Sequence, residues 1–350
     1  MSSEKIMSLP SVSDTYPPRV DFTMTPLAFG LRAVPLLMKE MQFGEVIVRR
    51  RALNSLAMYL CDPRHVQECL DQGVIRILNG RLREQDYLVR ERTTACLQLL
   101  SQYERGCDTI ILEDVVDVLR YRIDDEETDV RVNVYSVFRK LSTNIKGAFE
   151  IANYNLVVEF VAKVHNEVPE VQKVLLEILH NIMDHSLIRQ DILKTPAVQY
   201  FTEFLQNPDV EIQERAARCL GDVAQETEGK IQANRTGTVE QLVAMLLEEP
   251  TGCLAAVTYA LMMILVDIEA RYRALKHSSD LLLRLIKVAR NPTLEVAINA
   301  LKCATLLAET PERRALYTAE LATVEDLNTV PEPLLKQAIK TFVEVVTWKP

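Results

Sequence analysis

The chain has 350 residues, 48% of them hydrophobic and 25% charged, with a formal net charge of −9. That is enough apolar material for one large core or a series of small linked ones. The negative balance excludes a general nucleic-acid binder, whose affinity rests on phosphates neutralised by clustered Lys and Arg. Glycine is scarce at 10 residues, and strand-like alternation of β-branched residues is hard to find, so helix is favoured over strand. The seven cysteines form no CxxC pair. Several fall on apolar stripes, where cysteine acts as a small hydrophobe; this reads as a reduced, intracellular chain without a disulfide framework.

Residues 1–25 are rich in Ser and Pro, lack periodicity and hold no apolar signal core. They are expected to be a disordered or partner-ordered tail, with residues 26–350 as one domain and a C-terminal cap from about 320. From Pro26 onward the sequence falls into units of about 41 residues. An apolar anchor recurs at Val48, Val89, Val130, Val171, Ile212, Leu254 and Val296, with successive spacings of 41, 41, 41, 41, 42 and 42. An acidic residue stands just upstream at Glu45, Asp86, Asp129, Glu170 and Glu211, where the dipole of the following helix favours it. Arg or Gln follows the anchor at Arg49, Arg90, Arg131, Gln172 and Gln213.

Each unit opens with a small or turn-forming residue and a short apolar helix: Gly73-Val74-Ile75, Asp114-Val115-Val116, Asn155-Leu156-Val157, Pro196-Ala197-Val198 and Gly237-Thr238-Val239. The clearest unit runs from Leu205 to Gln225. Asn207-Pro208-Asp209 breaks the chain there, and a new helix places Ile212, Ala216, Cys219, Leu220, Val223 and Ala224 on one stripe at 3.6 residues per turn. The longest uncharged run, Thr251 to Val266, is shorter than the ~18 residues of a spanning helix and reads as a core helix.

A short helix, a second helix, a Pro- or acid-rich break and a long third helix resemble the armadillo repeat, with two-helix HEAT units as the alternative. The expected fold is all-α, a right-handed α-solenoid of about seven to eight such repeats. No nucleotide or catalytic signature survives: there is no G-x-x-x-x-G-K-[ST], G-x-G-x-x-G or G-x-S-x-G. His180 and His185 are five apart and lie on different helix faces, and Cys61 with His65 at a Cys-Asp-Pro turn makes a poor metal site. The run Asp124-Asp125-Glu126-Glu127 lacks the spacing of an EF-hand loop and reads as a solvated connection. Neither an enzyme nor a cofactor nor a metal is expected.

In armadillo proteins, function lies on the concave surface lined by third helices. Peptide-binding members of the nuclear-import type carry Trp six positions after the anchor and Asn ten after it. Here the sixth positions are Asn54, Ala95, Ser136, Glu177, Arg218, Ala260 and Lys302, and the tenth are Met58, Leu99, Lys140, Asn181, Asp222, Ile264 and Leu306. Only Asn181 matches. The middle of this face is polar and of mixed sign, and Ser136, Lys140, Glu177, Asn181, Arg218 and Asp222 are the candidate partner-binding residues, with Arg218 and Asp222 spaced as an (i, i+4) ion pair. At both ends the same positions turn apolar (Met58, Leu99, Ile264, Leu306), which suggests contact with another molecule.

Pro26-Leu27-Ala28-Phe29-Gly30-Leu31-Arg32-Ala33-Val34-Pro35, with Arg50-Arg51-Ala52-Leu53 and the ending Trp348-Lys349-Pro350, resembles the radial spoke head protein fourteen family. The resemblance implies a non-enzymatic component of the axonemal radial spoke in motile cilia and flagella, in the cytoplasm and cytoskeleton. Its expected partners are other radial spoke proteins in a large hetero-complex, with no nucleic acid, membrane or small-molecule substrate. The other reading is a soluble adaptor that binds peptide tails reversibly.

Overall fold

The structure is a computed structural model that describes residues 22–26, 32–248, 252–309, 311–325 and 332–348. Half of the stretch Pro26–Pro35 (residues 27–31), and all but four residues of the expected tail, lie outside the described residues. Contacts divide the chain at Val118–Leu119 into two compact units, each taken by itself below.

Helices numbered in chain order fall into a repeating triplet after α1 (Ala33–Phe43). The first helices are α3 (Pro63–Asp71), α6 (Glu104–Leu112), α9 (Ile145–Asn153), α12 (Ser186–Ile192), α15 (Thr227–Arg235), α18 (Ile268–His277) and α21 (Pro311–Thr318). The second helices are α4 (Val74–Arg81), α7 (Val115–Leu119), α10 (Leu156–Val164), α13 (Ala197–Phe204), α16 (Thr238–Leu247), α19 (Leu281–Val288) and α22 (Leu321–Glu325). The third helices are α2 (Val46–Tyr59), α5 (Tyr87–Ser101), α8 (Thr128–Leu141), α11 (Pro169–Ile182), α14 (Val210–Val223), α17 (Leu254–Ile264), α20 (Leu294–Leu307) and α23 (Pro333–Thr347). Among the described residues there is no strand. The fold is an all-α solenoid of the armadillo type, since each unit holds three helices and not the two of a HEAT repeat.

The turn-forming residues of the sequence separate the first helix of each triplet from the second. Gly73, Asp114, Asn155 and Gly237 all have positive φ, between 53° and 77°, the left-handed conformation that ends a helix. Glycine takes it without cost, and Asn and Asp tolerate it. The break before four of the third helices is held by side chains in equivalent positions of the repeat that reach back to backbone carbonyls. Arg49 Nη1 donates to Gly44 O at 2.6 Å, Arg90 Nη1 to Gln85 O at 2.7 Å, Arg131 Nη1 to Asp125 O at 2.9 Å and Gln213 Nε2 to Asn207 O at 2.8 Å. This is the physical reason for Arg49, Arg90, Arg131 and Gln213 after their anchors. Of the acidic run, Asp124, Glu126 and Glu127 are exposed as expected of a solvated connection, whereas Asp125 is 6% exposed and accepts from Arg122 at 3.0 Å.

Third helices pack on third helices. In the first unit α2 lies against α5; in the second, α8, α11, α14, α17, α20 and α23 pack in that order. On α14, Ile212, Ala216, Ala217, Cys219, Leu220 and Val223 are all fully buried. Three thiols on the seventh position reach back one helix: Cys96 Sγ donates to Leu53 O at 3.6 Å, Cys219 Sγ to Leu176 O at 3.4 Å and Cys303 Sγ to Thr258 O at 3.7 Å. Burial pushes all three thiols up, so they stay protonated, inert donors.

One register differs from the sequence reading. At the start of α17 and along it, Cys253, Ala256, Val257, Thr258, Ala260, Leu261 and Ile264 are buried, and all but Ala256 match the α14 pattern if Cys253, not Leu254, is the anchor. The spacing from Ile212 is then again 41, and the extra residues fall before Val296. Both residues are apolar, so side-chain type could not choose between them. Consequently Ile264 is fully buried and is not an apolar surface position. The true sixth and tenth positions of this unit are Tyr259 and Met263.

Because neighbours alone bury each stripe, Leu220→Ala is expected to lower stability by about 2–5 kcal/mol through the cavity it leaves. Hydrogen exchange should show the loosening confined to α11, α14 and α17. Uniform loosening through the second unit would contradict this.

Candidate functional site

The six candidate residues lie in the second unit, on the face formed by α8, α11 and α14. Ser136 and Asp222 are buried, at 5% and 4% exposure; Lys140, Glu177, Asn181 and Arg218 are half-buried. The structure does not join them into one open stripe. It ties Glu177, Asn181 and Asp222 to neighbouring repeats.

Asp222 is the centre. Its Oδ2 lies 2.5 Å from His180 Nδ1 on α11, and its Oδ1 accepts from the Tyr259 hydroxyl on α17 at 3.0 Å. Gln225 Nε2 in turn donates to the Tyr259 hydroxyl at 3.2 Å. One carboxylate therefore links three successive third helices. Tyr259 can reach it because Gly221 has no side chain: a Cβ there would come within 2.4 Å of Tyr259 Cε1 and 2.5 Å of its Cδ1. The expected Arg218–Asp222 pair does not form. Arg218 instead pairs with Glu214 on its own helix at 3.1 Å, since Asp222 points into the helix junction.

Glu177 is held twice. Arg215 Nη1 reaches it at 2.8 Å while also donating to Lys173 O at 2.6 Å, and Arg139 on α8 stands 3.6 Å away. Arg215 Nη2 donates to Glu211 at 2.7 Å, and Lys173 bridges Asp209 at 2.7 Å and Glu211 at 2.9 Å. Asp209 also caps α14, accepting from Glu211 N at 2.9 Å. Asn181, the one match to a peptide-gripping ladder, donates to Ser142 Oγ at 3.0 Å. Among the described residues, Lys140 has no ion-pair partner. Glu177, His180 and Asn181 on one side and Glu211, Glu214, Arg215 and Arg218 on the other enclose a shallow depression of about 340 Å³.

The Asp222 carboxylate beside His180 holds the imidazole above its ordinary value of 6.5; burial and Arg218 oppose the shift, and Asp184 adds to it. Burial, with the bonds to Asp222 behind it, pushes Tyr259 up to about 12, so the phenol stays a donor. His180 and Tyr259 are the residues sequence reasoning missed. The signal for Tyr259 was an aromatic at the sixth position, hidden by the one-residue slip at Cys253. His180 was weighed only as a metal ligand. Cys61 and His65 are engaged elsewhere: His65 stacks on Tyr59 with ring centroids 3.7 Å apart, and Cys61 Sγ donates to Ala57 O at 3.4 Å. Among the described residues no group of three or more His, Cys, Asp and Glu could hold a metal ion, and no helix is long and apolar enough to cross a membrane.

No protein-family model matches the chain. It is similar to solved structures at low identity. An engineered protein solved by a structural genomics consortium matches with a TM-score of 0.82 at 19% identity, over 91% of this chain and 79% of that one. A designed armadillo repeat protein matches with a TM-score of 0.61 at 17% identity, over 67% of this chain and 99% of that one. Another, solved in complex with the peptide (KR)4, matches with a TM-score of 0.59 at 14% identity, over 65% and 98%. These likenesses agree with the solenoid read from the helix triplets.

Two outcomes are expected. The folded-state value of His180 is raised, so its contribution to stability is fully present below the unfolded value near 6.5 and is lost as pH rises through the folded value. The stability difference between the wild type and Asp222→Asn should therefore shrink as pH is raised from acid through neutrality, as followed by urea unfolding; a difference that grows would contradict the pairing. Separately, Gly221→Ala must displace Tyr259 and is expected to destabilise by about 1–3 kcal/mol. Tyr259→Phe, which keeps the ring, should not relieve that loss.

Proposed function

We propose that this chain is a non-enzymatic scaffold of the axonemal radial spoke in motile cilia and flagella, docking other spoke proteins along its third-helix face. The observation that carries the scaffold part is the state of the recognition positions. Asp222 is bonded to both neighbouring repeats, Glu177 is clamped by Arg215, and Asn181 is spent on Ser142. Groups already paired within the fold stiffen it and offer little to an incoming peptide backbone. Pairing across helices also resists bending between repeats, which suits a part built into a fixed assembly. The spoke part rests on the resemblance of the stretch Pro26–Pro35 and of Arg50-Arg51-Ala52-Leu53 to that family.

A soluble adaptor that binds basic peptide tails is the second reading. The neighbour solved with (KR)4 and the carboxylates of Glu177, Glu211 and Glu214 around one depression favour it. Those carboxylates are largely neutralised by Arg215, Lys173 and Arg218, which speaks for the scaffold.

The scaffold reading expects the protein in purified axonemes, with cross-links from the second unit to other spoke proteins; a diffuse cytosolic or nuclear distribution would contradict it. The adaptor reading expects salt-sensitive binding of a basic peptide at about micromolar affinity, weakened by Glu177→Ala. On the scaffold reading, Glu177→Ala changes stability and leaves peptide binding negligible.

A further inference from the structure

The first unit contains a contact that the scaffold reading does not use and that stands apart from it. Residues 22–26 run across α2 at the sixth and seventh positions after its anchor. Asn54 Nδ2 donates to the backbone carbonyl of Thr23 at 3.0 Å. Ser55 grips both polar groups of Thr25: its Oγ accepts from Thr25 N at 2.8 Å and donates to Thr25 O at 3.0 Å. The Thr25 hydroxyl donates to Glu40 Oε2 on α1 at 2.7 Å. Three of these four bonds go to backbone groups, so α2 holds the segment chiefly by its main chain.

The segment is held by polar contacts more than by apolar burial. Phe22 is 75% exposed, Thr23 and Pro26 are exposed, and Met24 is half-buried. Thr25, at 8% exposure, and Ser55, fully buried, form the centre of the contact. Water can replace each of these hydrogen bonds when the segment lifts, so release leaves no buried polar group unsatisfied. A contact anchored by a large apolar side chain would instead expose apolar surface on release.

We infer that residues 22–26 are a releasable strap, and that Asn54 and Ser55 form a docking site for main-chain groups that the chain fills with its own segment. While the strap is seated, no other segment can use these two side chains. The occupant that fits a vacated site is a segment with the strap's own pattern: a residue accepting from Asn54 through its carbonyl, and two places later a threonine whose hydroxyl meets Glu40.

The test uses the full chain and a fluorescein-labelled synthetic copy of residues 19–28. Thr25→Pro in the chain removes the N–H that Ser55 accepts and leaves the site untouched. The peptide is expected to bind this variant about tenfold or more tighter than the wild type, and Asn54→Ala in the same background should weaken it. Equal binding to both chains, or none to the variant, overturns the proposal. Hydrogen exchange on Ser55→Ala gives a second readout that does not depend on the proline variant. The Thr25 amide should exchange about tenfold faster, with the Leu97 and Leu100 amides of α5 unchanged. An unchanged Thr25 rate overturns it too.

Discussion

Each helix triplet of this protein carries an apolar stripe that it cannot bury alone. The stripe on α14 is fully covered only because α11 and α17 lie on either side, and the same holds along the second unit. From this follow the strict period, the small residues Ala216 and Ala217 where helices approach, and the thiols that reach back one helix to a backbone carbonyl. A side chain one residue out of phase would turn its stripe toward solvent. The register is accordingly the most tightly specified property of the sequence.

The polar face is organised by the same neighbour logic. Arg or Gln after four of the anchors closes the break before the third helix, and Asp222 joins three third helices through His180 and Tyr259. Glu177 with Arg215, and Lys173 with Asp209 and Glu211, add ion pairs across α11 and α14. Exposed pairs of this kind contribute little singly, but Asp222 is almost fully buried, and removing a partner would leave its charge uncompensated. The residues at the recognition positions thus belong to the framework as much as to any docking surface.

Most of the fold was legible in the sequence because its signal is periodic. The anchors, the left-handed turn residues and the Arg/Gln positions each recur at 41 residues, and a three-helix solenoid follows from them. The slip at α17 came from two adjacent apolar residues, Cys253 and Leu254, of which either suits an anchor. That slip hid Tyr259 and misplaced Ile264. The site was less legible for a different reason: spacing along one helix suggested Arg218 with Asp222, whereas the bonds that form run between helices about 40 residues apart in sequence. Pairing across repeats depends on which way each side chain leans, and on Gly221 leaving room for a ring. No single-helix pattern carries that information.

The central claim is that Asp222 and His180 act as a tie between repeats. A double-mutant cycle on His180→Ala and Asp222→Ala in the full chain, read by urea unfolding at mildly acidic pH, tests it most directly. The account predicts a coupling of about 1 kcal/mol or more. Additivity within about 0.3 kcal/mol would contradict it, and would return both residues to the role of an open surface.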